Sequence, residues 1–302
     1  MTATLTGHVA TRSDAAGPPQ RKRSGKSTLL TVVMLLCLVY FLLPIFWLVV
    51  ASTKANEDLF TSFGLWFSHM NLAENLHHVF TFQNGVFGQW MINSLVYAIA
   101  SGFGAAALAT AAGYAFAKYR FPGGNAMFTI VLGAVMIPMT ALAIPTYLLF
   151  AGANLTNTVW AVILPSLVSP FGVYLMRVYA ADAVPDSLIE AARVDGAGEM
   201  RIFFQIVLRL LVPGSVTVLL FALVASWNNY FLPLIMLNSP ELFPLPVGLA
   251  QWQAASAAGS GSQALFSTVI TGSLVSVLPL MAAFLFLQRY WQSGLGSGAV
   301  KA

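Results

Sequence analysis

Nine of the chain's 24 formally charged side chains fall within 33 residues: Arg177, Asp182, Asp186, Glu190, Arg193, Asp195, Glu199, Arg201 and Arg209. A connector between two helices needs only a few residues, so this segment must carry structure of its own. Pro185 suits the start of a helix, and Asp186 favours its positive N-terminal end. The helix reads SLIEAARV, with Leu188, Ala191, Ala192 and Val194 offering small apolar contacts. Gly196 ends it, because glycine accepts a left-handed backbone at low cost. A second amphipathic stretch, EMRIFFQIVLRLL, places Met200, Phe203, Phe204 and Val207 at helical spacing. A short helix with a small-residue surface suits docking on another protein or lying among lipid head-groups. Physics alone favours neither.

Other reactive residue types exclude more than they offer. The one cysteine, Cys37, lies inside an apolar run, so there is neither a disulfide framework nor a thiolate metal site. His8 and His69 stand apart, and His77 and His78 are adjacent, so they point apart on a helix and make a poor metal pair. The expected role of His77 and His78 is structural or at the surface. SGKST at 24–28 imitates the end of a phosphate-binding loop, but position 20, where that loop needs glycine, is Gln20, and no strand precedes it. An ATP site there is rejected.

The elements that must hold the charged segment follow from hydropathy. The 302 residues are 58% hydrophobic and 8% charged, with a mean hydropathy of +0.78. Soluble domains are roughly a quarter charged. No Asp, Glu, Lys or Arg occurs in 27–53, 75–117, 121–176, 210–240 or 242–288, and each gap exceeds the roughly 20 residues an apolar helix needs to cross a bilayer. The predicted class is all-α and polytopic, with six spans at about 28–51, 90–117, 125–150, 159–179, 211–237 and 265–288. GANLTNT divides the third from the fourth. Residues 1–27 read as a disordered basic tail, 28–292 as the membrane domain with a loop at 180–210, and 293–302 as a C-terminal tail.

Six spans place both termini on one side of a cell membrane. With both in the cytoplasm, 13 of the 14 basic residues lie inside and only Lys54 outside, which satisfies the positive-inside rule. The net charge of +4 therefore reflects flanks of membrane spans and not nucleic-acid binding. The RKR cluster at 21–23 suits anionic lipid. Outside, 52–89 is expected along the membrane surface and 238–264 as a flexible connection.

Within the spans stand neutral polar groups: Asn93, Thr110, Thr140, Tyr147, Ser166, Ser169, Tyr174, Trp227, Asn228, Asn229 and Tyr230. Amides, hydroxyls and aromatic faces are what a sugar-like solute requires. The same groups also serve as hydrogen-bond glue between membrane helices. Asn93, Tyr147 and the Trp227–Tyr230 cluster are the candidates for a translocation path. Pro138, Pro145, Pro165, Pro170 and Pro233 are expected to bend their helices. No Asp, Glu, His or Lys lies within a span, and Arg177 stands at the inner end of the fourth. That argues against an ion-coupled carrier working alone and against a membrane enzyme.

The segment PDSLIEAARVDGAGEMRIFFQIVLRLLVPG resembles the EAA signature of ABC-importer permeases, in the form seen in the carbohydrate, maltose-like branch. PTYLLF at 145–150, LTNT at 155–158, ILPSLVSPFGVYLMR at 163–177, SWNNYFLPLIML at 226–237, NSL at 93–95 and AFAKYRFPG at 115–123 are similar to the same branch. The likeness runs from about 29 to 292. Arg209 departs from the usual Pro, so the helix can continue unbroken there, and Asn229 departs from a common acidic residue.

The resemblance implies a subunit of an ATP-driven importer that does no chemistry of its own. Its partners would be a second permease, two ATP-binding subunits that hold ATP and Mg²⁺, and an extracytoplasmic solute-binding protein. Glu190, Ala191, Ala192, Asp195, Gly196 and Ala197 would form the helix that couples to the ATPase. Glu190 would pair with a basic residue there, the alanines would allow close approach, and Gly196 would supply the turn. A sugar is the implied cargo. A polyol, a glycerol phosphate ester, an amino sugar, a stand-alone carrier and a structural membrane subunit are the alternatives.

Overall fold

The structure is a computed structural model that describes residues 28–258 and 265–296, with side chains as far as Gln288. The N-terminal tail, the Gly/Ser-rich end of 238–264 and the last residues of the C-terminal tail lie outside the described residues. The chain divides into two units, Met1–Ile45 and Phe46–Ala302. No strand occurs among the described residues.

The helices are α1 (Thr28–Ser52), α2 (Asn56–Thr61), α3 (Leu72–Thr81), α4 (Val86–Lys118), α5 (Gly124–Val135), α6 (Ala143–Gly152), α7 (Trp160–Ser166), α8 (Pro170–Ala183) and α9 (Asp186–Val194). A one-turn α10 (Glu199–Arg201) leads through π-helical turns at Ile202–Val207 into α11 (Leu208–Trp227). Then come α12 (Phe231–Met236), α13 (Leu245–Ala257) and α14 (Phe266–Gly296). Five segments are long and apolar enough to cross a membrane: Thr28–Ser52, Leu72–Lys118, Trp160–Ala183, Glu199–Trp227 and Phe266–Gln288.

Where helices break, proline or asparagine explains it. The stretch expected as one helix over 125–150 is two, α5 and α6, parted at Met136–Leu142 around Pro138, whose ring denies a helical bond and disfavours helical geometry at Ile137. Between α7 and α8 the chain turns at Leu167–Ser169. There the Ser169 hydroxyl accepts from the Gly172 amide at 3.2 Å, and Pro170 opens the new helix. The fifth expected span, 211–237, begins earlier and ends earlier. With Arg209 in place of proline, helical structure is continuous from Glu199, and it stops at Trp227 because Asn228 and Asn229 compete for the backbone.

The connection over 238–264 departs from expectation most. It contains α13, a 13-residue helix whose Leu245, Val247, Leu249 and Trp252 are buried in the core. The prolines that suggested a loop sit at its start, where a missing N–H costs nothing. Gly248 permits its closest contact, since a Cβ there would lie 2.1 Å from the Trp90 ring.

α4 is the centre of the packing, lying against α8, α11, α7 and α13. Gly113 lets it meet α8: a Cβ would come within 2.4 Å of the Met176 side chain. Thr110 Oγ1 and Ser215 Oγ, 2.8 Å apart, join α4 to α11, the glue that membrane helices use in place of a hydrophobic drive. Two apolar clusters result. One gathers Phe87, Trp90, Tyr97, Trp227, Leu245 and Trp252. The other gathers Tyr114, Met176, Ala180, Ile189, Ala192, Ile202 and Leu211 beside the charged segment.

Candidate functional site

α9 is anchored by one face and bare on the other. Ile189 and Ala192 are buried, at 4% and 6% exposure, in the cluster with Val184, Ile202 and Val207. Ser187, Glu190, Ala191 and Val194 share the opposite face at the i, i+3, i+4, i+7 spacing, and all are exposed, Val194 to 88%. Glu190 has no hydrogen-bond or ion partner among the described residues. Ala191 and Val194, expected to offer small apolar contacts, lie on this exposed face, and Leu188 is 37% exposed. Ile189, not singled out from the sequence, is the true anchor.

The end of α9 is fixed by its backbone. Asp195 is the C-cap, and Gly196 follows with φ +79°. The Gly196 amide donates to the Arg193 carbonyl and the Ala197 amide to the Ala192 carbonyl, each at 3.0 Å. This is the paired closure that satisfies the last carbonyls of a helix and requires a left-handed residue.

Two consecutive residues at the end of α4 hold both ends of α9. Lys118 Nζ donates to Asp186 Oδ1 at 2.8 Å. At the other end, Arg193 Nε donates to Glu199 Oε1 at 2.7 Å, and Tyr119 Oη donates to Glu199 Oε2 at 2.5 Å. The hydrogen bond from Lys118, and then its charge, hold the Asp186 carboxyl below the usual range. The bond to Glu199 raises Arg193 above its ordinary value. Burial first, then the bond to Glu199, raises the Tyr119 phenol. The Tyr119 ring also stands edge-on to Tyr114 at 5.5 Å.

The polar residues of the spans sort into two kinds. Asn93 is buried and committed: its Nδ2 donates to the carbonyls of Glu241 at 2.7 Å and Phe243 at 3.0 Å, and its Oδ1 accepts from Gln89 at 2.9 Å. Ser166 bonds to the Val162 carbonyl of its own helix. Tyr147 and Tyr230, by contrast, are 39% and 41% exposed. Trp227 is buried at the end of α11, and Asn228 to Tyr230 form the break before α12. Asn228 is exposed, and its Nδ2 donates to the Val224 carbonyl at 3.1 Å. Asn229 Oδ1 accepts from the Leu232 amide at a long 3.4 Å. Irregular backbone inside an apolar segment is tolerated where protein buries it or a cavity faces it.

Trp90 and Tyr97, not singled out from the sequence, stand with Asn93 and Ser94 at i, i+3, i+4 and i+7 on α4, and every one of the four bonds to the backbone of 240–245. His78, expected in a structural or surface role, has Nδ1 2.8 Å from Thr268 Oγ1 and stacks on Phe82.

The family model described as "binding-protein-dependent transport system inner membrane component" matches residues 109–295. The arabinooligosaccharides transport system permease protein AraQ of Bacillus subtilis is 34% identical over 277 residues, covering 90% of this chain and 95% of that protein. The sn-glycerol-3-phosphate transport system permease protein UgpE of Yersinia enterocolitica is 26% identical, covering 90% and 97%. In fold, the chain matches a subunit of a bacterial ABC transporter involved in import of the acidic polysaccharide alginate. The TM-score is 0.75 at 21% identity, covering 87% of this chain and 95% of that one. The chain belongs to the family of binding-protein-dependent transport system inner membrane components, the permease subunits of ABC importers.

Proposed function

We propose that this permease carries a neutral sugar or oligosaccharide into the cell, as one of two membrane subunits, and takes its energy from ATPases seated on α9. The observation that carries this reading is the bare stripe Ser187–Glu190–Ala191–Val194, held out by a buried opposite face. A carboxylate with no partner among the described residues, amid small side chains, suits a basic residue in a protein groove. Two ATP-binding subunits hold ATP and Mg²⁺ there, and this chain has no catalytic role. A solute-binding protein docks at the opposite end, against 52–89 and 238–258.

Both termini are cytoplasmic in this scheme, and α5 with α6 forms one broken crossing, which makes six. The path runs past Tyr147 and the Asn228–Tyr230 break. A neutral cargo is favoured because these candidates carry amides, hydroxyls and rings but no cation to receive a phosphate ester. The relatives named for arabinooligosaccharides and for sn-glycerol-3-phosphate mark the two chemistries to compare. Retention of an arabinooligosaccharide, and not of sn-glycerol-3-phosphate, by the associated binding protein is the expected result. Uptake into liposomes by this chain alone, driven by an ion gradient without any ATPase, would overturn the reading in favour of a stand-alone carrier.

A further inference from the structure

We propose that α4 is a strut joining α9 to the segment Pro240–Leu245, so that displacement at either end reaches the other through this one helix. At one end the row on α4 grips backbone. Trp90 Nε1 donates to the Pro240 carbonyl at 2.9 Å, Asn93 to those of Glu241 and Phe243, and Tyr97 Oη to that of Leu242 at 2.8 Å, while Ser94 Oγ accepts from the Leu245 amide at 2.8 Å. Main-chain groups of five of the six residues are held, so the segment is fixed whatever side chains it bears. The four α4 side chains are buried, and so are the bonds to Phe243 and Leu245; losing a partner there leaves a polar group unsatisfied in an apolar setting, which keeps the grip closed.

At the other end Lys118 and Tyr119 hold the first turn of α9 and, through Glu199, its last. Tyr97 and Lys118 are roughly 30 Å apart along the axis. No proline interrupts α4, and Gly102 and Gly113 seat it closely on α11 and α8, where added Cβ atoms would meet Leu223 at 2.9 Å and Met176 at 2.4 Å. A stiff, seated helix with two saturated grips transmits force without a hinge. Its grips make Trp90, Ser94, Tyr97 and Tyr119 positioning residues. They set where the segment and α9 sit, and touch neither solute nor nucleotide.

The inference rests on α9 meeting the ATPase and the 240–245 end meeting the binding protein. The test is a double-mutant cycle in the assembled importer in nanodiscs. ATP hydrolysis is measured with and without the system's own binding protein, purified with its solute retained. Tyr97→Phe and Tyr119→Phe remove one hydroxyl each and keep the ring. Each is expected to cut stimulation by the binding protein about fivefold, the equivalent of one hydrogen bond, with assembly and the unstimulated rate retained. Together they should do no more than the worse single change. Sites so far apart ordinarily add, so independent, multiplying effects overturn the strut, as does stimulation that ignores Tyr97→Phe. Glu190→Lys is run alongside. If it alone abolishes stimulation, the strut fails while the α9 reading stands; if it changes nothing, the α9 reading fails and the strut with it.

Discussion

Two rows of side chains share one helical spacing and meet opposite fates. On α4, Trp90, Asn93, Ser94 and Tyr97 are buried, and each has its bonds made within the chain. On α9, Ser187, Glu190, Ala191 and Val194 face outward, and the carboxylate among them has no partner among the described residues. Spacing therefore identifies a face, whereas satisfaction of its polar groups identifies its role. A saturated face holds the fold together, because buried polar groups persist only when paired. An unsaturated one is available to another protein. The neutral polar residues of the spans divide by the same test, with Asn93 on the saturated side and Asn228 and Tyr230 on the open side.

The contrast breaks most visibly at Glu190. Glu190→Lys reverses the charge of the open row without touching the core, and uptake by the assembled importer should fall by a factor of about 100 or more if the pair is desolvated at the contact. Membrane insertion, checked by fractionation, should be unchanged; near-normal uptake would remove α9 from the coupling path. Ile189→Ala empties the anchored side of the same helix. It should cost about 2–4 kcal/mol of local stability, read as faster hydrogen exchange of the α9 amides, with lesser loss for Ile189→Val.

Next come the two asparagines. Asn93→Ala strips partners from two backbone carbonyls and should lower complex stability by about 1–3 kcal/mol without altering the apparent affinity for solute. Asn228→Ala should leave the melting temperature unchanged and impair transport, and the reverse pattern would interchange their roles. Gly196→Val imposes a β-branched side chain at φ +79° and should cost about 1–2 kcal/mol, with Gly196→Asn much milder. The smallest effect is with pH. Lys118 lowers the Asp186 carboxyl, so its contribution is present above the unfolded carboxylate value and lost as pH falls through the lower folded one. Exchange protection of α9 should therefore be flat between about pH 5 and 8, and a transition near neutrality would mean that another group controls it.

Much of the architecture was legible because the bilayer requires long apolar helices, and hydropathy reports these directly. α9 was legible for a different reason: Asp186 and Gly196 bracket it with local start and stop chemistry. Local signals misled where tertiary contact decides. The prolines of 238–264 read as loop, yet α13 forms there because Leu245 and Trp252 find a buried site beside Trp90. Ile189 carries no local signal that singles it out, yet on α9 it turns in with Ala192.

By itself the sequence determined class, helix content, the charged segment and its caps, since each depends on composition or on neighbours within a few positions. Only the tertiary structure decided which polar groups are used up, since Asn93 and Glu241, or Tyr119 and Glu199, lie 148 and 80 positions apart. Hydrogen-bond satisfaction is a property of contacts across the fold, and no local pattern on α4 reveals which distant carbonyls will arrive to meet it.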